Sequence, residues 1–97
     1  MILMTVKYYV KEGLLAEVLS SLREMEAEVR TKEPDCLSYK VWQSRDEANL
    51  LLLEELYAND AAIEAHRQTE HFKTILEPKV LPLLNDRVRE FYTPQIG

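Results

Sequence analysis

Apolar residues fall on every second position from Ile2 to Val10, with Ile2, Met4, Val6, Tyr8 and Val10 on one face and Leu3, Thr5, Lys7 and Tyr9 on the other. That alternation predicts a strand, and large groups on both faces predict cover on both. Lys11-Glu12-Gly13 reads as a turn. Leu15, Val18, Leu22, Met25 and Val29 then recur at spacings of 3, 4, 3 and 4, one apolar stripe of a helix over roughly 14–31. Glu33-Pro34-Asp35 ends it, because proline disfavours a helical residue before it. A second strand is expected over 36–43, where Leu37, Tyr39 and Val41 alternate with Ser38, Lys40 and Trp42. The polar run 44–49 reads as a hairpin loop. The strand after it, 50–57, opens with four leucines and is apolar on both faces, which places it centrally in a sheet. Asn59-Asp60 offers N-cap chemistry for a helix over about 60–69. Pro78 and Pro82 interrupt 71–84, predicting a short helix and an irregular connection. Arg87 to Thr93 reads as the last strand.

The order strand, helix, strand, strand, helix, strand is the split βαβ, ferredoxin-like arrangement, an α+β fold with a four-stranded antiparallel sheet. Both helices cover one sheet face. The other face needs cover, and a second copy of the chain supplies it most simply. Lys40 and Trp42 on the second strand, with Leu50 and Leu52 on the third, are the candidate contacts.

Length and charge narrow the function. Ninety-seven residues make one domain, 1–97. A net charge of −5 argues against nucleic acid as the main partner, since phosphate binding needs a positive field. No apolar run approaches a membrane span, and the start lacks the basic region and cleavage site of a signal peptide. One cysteine, Cys36, cannot form an internal disulfide, so a reducing cytoplasm is the expected location. With only Gly13 and Gly97, the chain has no phosphate loop or dinucleotide fingerprint.

Candidate chemistry concentrates between Glu55 and Phe72. Glu55 and Tyr57 share a strand face, and His66 lies on the apolar side of the following helix. If that strand face meets the helices, Glu55 and His66 can pair, either as a general base with its partner or as an ion pair locking helix to sheet. His71 either binds substrate or caps a helix end. His66 and His71 are five apart, not the four that aligns two metal ligands on one helix face, so no metal site is expected. Acidic neighbours blunt Cys36 as a nucleophile. Tyr39 is a core residue or places its hydroxyl in a pocket.

These segments resemble a known family. Glu33-Pro34-Asp35-Cys36-Leu37-Ser38-Tyr39 is similar to the E-P-G-C-x-x-Y segment of the antibiotic biosynthesis monooxygenase family. Glu55, Tyr57, His66, His71 and Phe72 match its E-x-W-x(8)-H-x(4)-H-F pattern. The resemblance covers about residues 3–92. It implies a ferredoxin-like subunit that pairs into a dimeric α/β barrel, with a pocket between sheet and helices. It also implies monooxygenation of hydroquinones or polycyclic phenols by molecular oxygen, without flavin or metal; relatives degrade haem or isomerise small phosphorylated sugars. Two positions depart from the pattern: Asp35 replaces a glycine, so that turn takes another backbone shape, and Tyr57 replaces a tryptophan. The asparagine that haem-degrading relatives carry on the first strand is absent between Met4 and Val10, so haem degradation is not expected.

On this reading the catalytic candidates are His66 as base, Glu55 as its orienting partner, and Tyr57 or Tyr39 as donor to the oxyanion. His71, Tyr39 and Phe72 are the candidate substrate-binding residues. An isomerase using the same base, with cations drawn from Arg45, Arg67, Lys73 and Lys79, and a ligand-binding module without turnover remain as alternatives.

Overall fold

The computed structural model describes residues 1–97. Strand β1 (Ile2–Val10) leads into helix α1 (Leu15–Lys32), followed by strands β2 (Cys36–Gln43) and β3 (Leu50–Tyr57). Helix α2 (Asp60–Arg67), a π-helical segment (Phe72–Val80), a short 3-10 turn (Leu81–Leu83) and strand β4 (Leu84–Tyr92) complete the chain. The sheet order is β2-β3-β1-β4, antiparallel throughout, with β3 in the interior as its leucine run requires. No helix is long and apolar enough to cross a membrane.

One sheet face carries the core. Met4, Val6, Tyr8 and Val10 of β1 and Leu51, Leu53 and Tyr57 of β3 are buried against Val18, Leu22, Met25 and Val29 of α1. The 3-4 spacing of the α1 stripe is what lays these four side chains along one line over the sheet. The opposite face has no cover within the chain. On it Trp42 stands opposite Leu52, and Lys7 lies between Leu52 and Val88. Trp42, Val88 and Tyr92 there are 53%, 40% and 47% exposed. The expectation that β1 is covered on both faces therefore fails within a single chain, where Lys7 is exposed.

Two connections set the ends of the helices. At the end of α1, Glu33 C=O accepts from Cys36 N–H at 3.0 Å, so Pro34 and Asp35 form a tight turn. Proline suits the second position of such a turn. Asp35 adopts no positive φ, so the turn dispenses with the glycine of the family pattern. At the start of α2, Asn59 holds the helix, its side chain accepting from Ala62 N–H at 2.9 Å. This helix stops at Arg67, two residues earlier than its pattern suggests. Thr69 breaks it: its hydroxyl donates to His66 C=O at 2.8 Å and accepts from Phe72 N–H at 3.2 Å.

The segment after that break departs from the expected short helix. Phe72–Val80 winds with i→i+5 bonds, and Leu81 N–H reaches Leu76 C=O. Pro78 lies inside it. In an α-helix the proline ring would strike the carbonyl four residues back, and the wider turn relieves that contact. β4 accordingly starts at Leu84, three residues earlier than its alternation suggests.

Candidate functional site

Glu33 is the hub. It sits at the C-terminal cap of α1, and its carboxylate reaches across to both histidines. Both carboxylate oxygens lie 2.9 Å from His66 Nδ1, and Oε2 also meets His71 Nε2 at 2.5 Å. All three side chains are removed from water, at 9%, 4% and 4% exposure. Burial acts to raise the Glu33 carboxyl, but the hydrogen bonds and charges of His66 and His71 outweigh it and hold it below the usual carboxylate range. An ionised carboxylate only accepts, so His66 Nδ1 and His71 Nε2 are both donors here.

In the neutral ring this leaves His66 Nε2 without a proton. That nitrogen faces Glu55, with Oε1 at 3.7 Å. Glu55 in turn accepts from the Tyr57 hydroxyl at 2.6 Å. Burial pushes the Glu55 carboxyl up, against the opposing pull of His66 and the Tyr57 hydrogen bond. Burial and the Glu55 charge likewise raise the Tyr57 phenol. Around the imidazole, Phe72 stands edge-on at 5.4 Å, and the Tyr57 and Tyr39 rings lie at 5.7 and 6.4 Å. Cys36 lies next to this cluster. Burial, with Glu55 and Glu33 nearby, pushes its thiol up to about 12, which makes it inert as a nucleophile.

The orienting partner expected for His66 is thus displaced. Glu33, not Glu55, hydrogen-bonds Nδ1, while Glu55 stands on the far side of the ring. Sequence reading misses Glu33 because it lies 33 residues away and looks like a helix terminator. The one available signal is its place at the head of the Glu33-Pro34-Asp35-Cys36 motif. Tyr57 spends its hydroxyl on Glu55, which removes it as a donor to an oxyanion.

A narrow cleft opens beside His66, with about 30 Å³ of enclosed volume. Glu55, Met4, Val6, Tyr8, Phe72 and Leu76 form its walls, and Arg67, Arg87 and Arg89 also line it. Of the candidate substrate-binding residues, only Phe72 lines this cleft. Tyr39 instead borders a larger groove of about 370 Å³ between α1 and β2, with Leu19, Leu22 and Trp42. That groove holds neither histidine, and the candidate residues gather at the smaller cleft. His71 lies behind Glu33.

Glu33, His66 and His71 also form the two-histidine, one-carboxylate donor set of many metal sites, with ligand atoms within 4.8 Å of one another. The argument against a metal from five-residue spacing does not hold, because the helix break at Gln68–Thr69 lets the two rings converge. Their ring centroids, however, are 6.4 Å apart. With metal–nitrogen bonds of about 2.1 Å, both rings could share an ion only along a nearly straight line, unlike a tetrahedral or facial site. The geometry is that of a carboxylate bridging two imidazoles through hydrogen bonds.

The family model for antibiotic biosynthesis monooxygenase matches residues 1–78, and the chain belongs to that family. Among solved structures, an antibiotic biosynthesis monooxygenase shares 23% identity over 99% of this chain and 100% of its own, with a TM-score of 0.90. A protein from Caulobacter crescentus CB15, described as a candidate antibiotic biosynthesis monooxygenase, shares 26% identity over 98% of this chain and 90% of its own, at a TM-score of 0.91. PA3566 from Pseudomonas aeruginosa shares 25% identity over 98% and 94%, at 0.87. No curated protein matches the chain.

Replacing Glu55 tests the electrostatics. Its carboxyl is raised in the folded state, so its favourable contribution is complete below the unfolded value of about 4.3 and is lost as pH rises through the folded value. Glu55→Gln keeps an acceptor for Tyr57 and removes the titration. Denaturant unfolding of both proteins from pH 4 to pH 8 should show the variant gaining stability relative to wild type as pH rises. A constant difference across that range would contradict the assignment.

Proposed function

We propose that this chain is a cofactor-independent monooxygenase acting on a small phenol, hydroquinone or polycyclic aromatic, with His66 as the base. The reading rests on one observation above the rest: Glu33 holds the His66 Nδ1–H, so in the neutral ring the lone pair is on Nε2, in the wall of the cleft. The family membership supports the general class of reaction.

The chemistry follows from what O₂ requires. Triplet oxygen reacts poorly with a neutral closed-shell quinol and readily with its anion. His66 Nε2 takes the phenolic proton, and the resulting imidazolium keeps its Nδ1–H on the Glu33 carboxylate. The phenolate passes an electron to O₂, and the radical pair joins at a ring carbon as a peroxide. Loss of water then gives the hydroxyquinone. One oxygen atom enters the product and one leaves as water, and the substrate supplies all four electrons, so neither flavin nor metal is required. Met4, Val6, Phe72 and Leu76 keep water from the charged intermediates. The enclosed volume is smaller than an aromatic ring, so substrate entry requires the Phe72 ring and the arginine side chains to swing aside.

The same base could instead remove a proton beside a carbonyl, giving an isomerase. The arginines of the cleft favour that second reading, and it forms product without consuming O₂.

O₂ uptake by dialysed, metal-free protein with a panel of hydroquinones and polycyclic phenols separates the two. The monooxygenase reading expects one O₂ consumed per product, with a loss of about 10²-fold or more in His66→Ala, the scale of general-base catalysis. Product without O₂ uptake supports the isomerase, and full turnover by His66→Ala contradicts the base assignment.

The bare sheet face supports a homodimer, with Trp42, Leu50, Leu52, Val88 and Tyr92 against the same surface of a second copy. Light scattering at micromolar concentration should give twice the 11.4 kDa chain mass, and Trp42→Glu should shift it to monomer. A monomeric wild type would contradict the pairing.

A further inference from the structure

Three guanidinium groups stand around the His66 cleft without a carboxylate partner. Arg67 comes from the last turn of α2, and Arg87 and Arg89 come from β4. The ion pairs of the molecule lie elsewhere: Glu26–Arg30, Glu28–Lys32 and Glu24–Lys79 on the surface, and the glutamate–histidine set within. Glu55 is the one acidic side chain lining the cleft, and it is turned toward Tyr57 and His66. A molecule with net charge −5 therefore carries a local excess of positive charge at the mouth of its candidate active site.

The sheet register sets the spacing. Arg87 is opposite Tyr8 and Arg89 is opposite Val6, both on the face beneath the helices. Two residues apart on one strand, their stems leave the backbone about 7 Å apart. β4 and β3 are separated by β1, so two interstrand steps of about 4.8 Å lie between the arginines and Glu55, and the register adds two residues along the strand for Arg89 and four for Arg87, which places their Cα atoms about 12 and 17 Å from that of Glu55. All of these side chains line one cleft with His66, so an anionic group on a substrate of one or two fused rings can face the guanidinium groups while its other end faces the imidazole. Guanidinium forks match the paired oxygens of a carboxylate or phosphate, and unpaired side chains at a cleft mouth lose no existing ion pair on meeting one.

We propose that the cleft selects anionic substrates: a hydroxylated aromatic whose carboxylate or phosphate is held by Arg87 and Arg89, with Arg67 closing over it and the hydroxyl turned to His66. This rests on the His66 cleft being the reaction centre. The arginines determine specificity and take no part in proton transfer.

Calorimetric titration of the full chain tests it with three probes: 3-hydroxy-2-naphthoate, neutral 2-naphthol and 1-naphthyl phosphate. At low salt the acid should bind about tenfold or more tightly than 2-naphthol, the worth of a charge-assisted contact, and the gap should narrow as salt rises. The double substitution Arg87→Gln with Arg89→Gln should erase that preference, bringing the naphthoate and 2-naphthol to equal affinity. Both residues are exposed, so the fold should survive, and circular dichroism checks it. Arg45→Gln, in the hairpin loop away from the cleft, should change the binding of none of the three. Tighter binding of the naphthoate or of the naphthyl phosphate tells which anion the site is built for. Equal binding of charged and neutral probes, or an acid preference that survives the double substitution, would overturn the proposal. O₂ uptake with neutral quinols is a separate readout: if it persists while the anion preference is absent, only this inference fails.

Discussion

A single ionised carboxylate at the end of α1 joins three pieces of the chain over the sheet. Glu33 accepts from His66 on α2 and from His71 at the head of the π-helical segment. Each histidine would be costly to bury unpaired, and so would the carboxylate. Together they satisfy one another, and the arrangement fixes where α2 sits relative to the core. The same contact sets the tautomer of the neutral His66 ring, so the structural lock and the exposure of Nε2 to the cleft are two consequences of one interaction. The choice between ion pair and catalytic group is therefore not exclusive.

The neighbouring groups divide by side of the ring. On the Nδ1 side there is a closed, ionised network. On the Nε2 side there is Glu55, raised by burial and anchored by Tyr57, next to an apolar cleft. Once His66 takes a proton, its charge is stabilised on the Nδ1 side by the ionised Glu33. The three arginines complete the asymmetry, with positive charge at the mouth and His66 in the wall.

Much of the frame is legible in the sequence because it follows local periodicity. The alternation in β1, the 3-4 stripe of α1 and the leucine run of β3 each have one geometric solution, and their bounds agree with the pattern to within a residue. The π-helical segment is not legible: a wide turn accommodating Pro78 leaves no period of its own in nine residues. In the site, strand parity and helix face suffice to place His66 and Glu55 together, while Phe72 comes only from the family resemblance. They do not suffice for Glu33, because its partner lies across a tertiary contact and its local setting, before Pro34, already explains its presence. Spacing alone misplaces His71, since the break at Thr69 changes the angle between residues five apart. Arg87 and Arg89 are invisible as site residues because only the position of β4 beside β1 brings them to the cleft.

The His66 tautomer carries the central claim, and nitrogen-15 NMR of the imidazole rings reads it directly. At pH 8 the account predicts a proton on Nδ1 and a bare Nε2 in the wild type, with that preference lost in Glu33→Gln. A proton resident on Nε2 in the wild type, or a tautomer unchanged by the substitution, would contradict it.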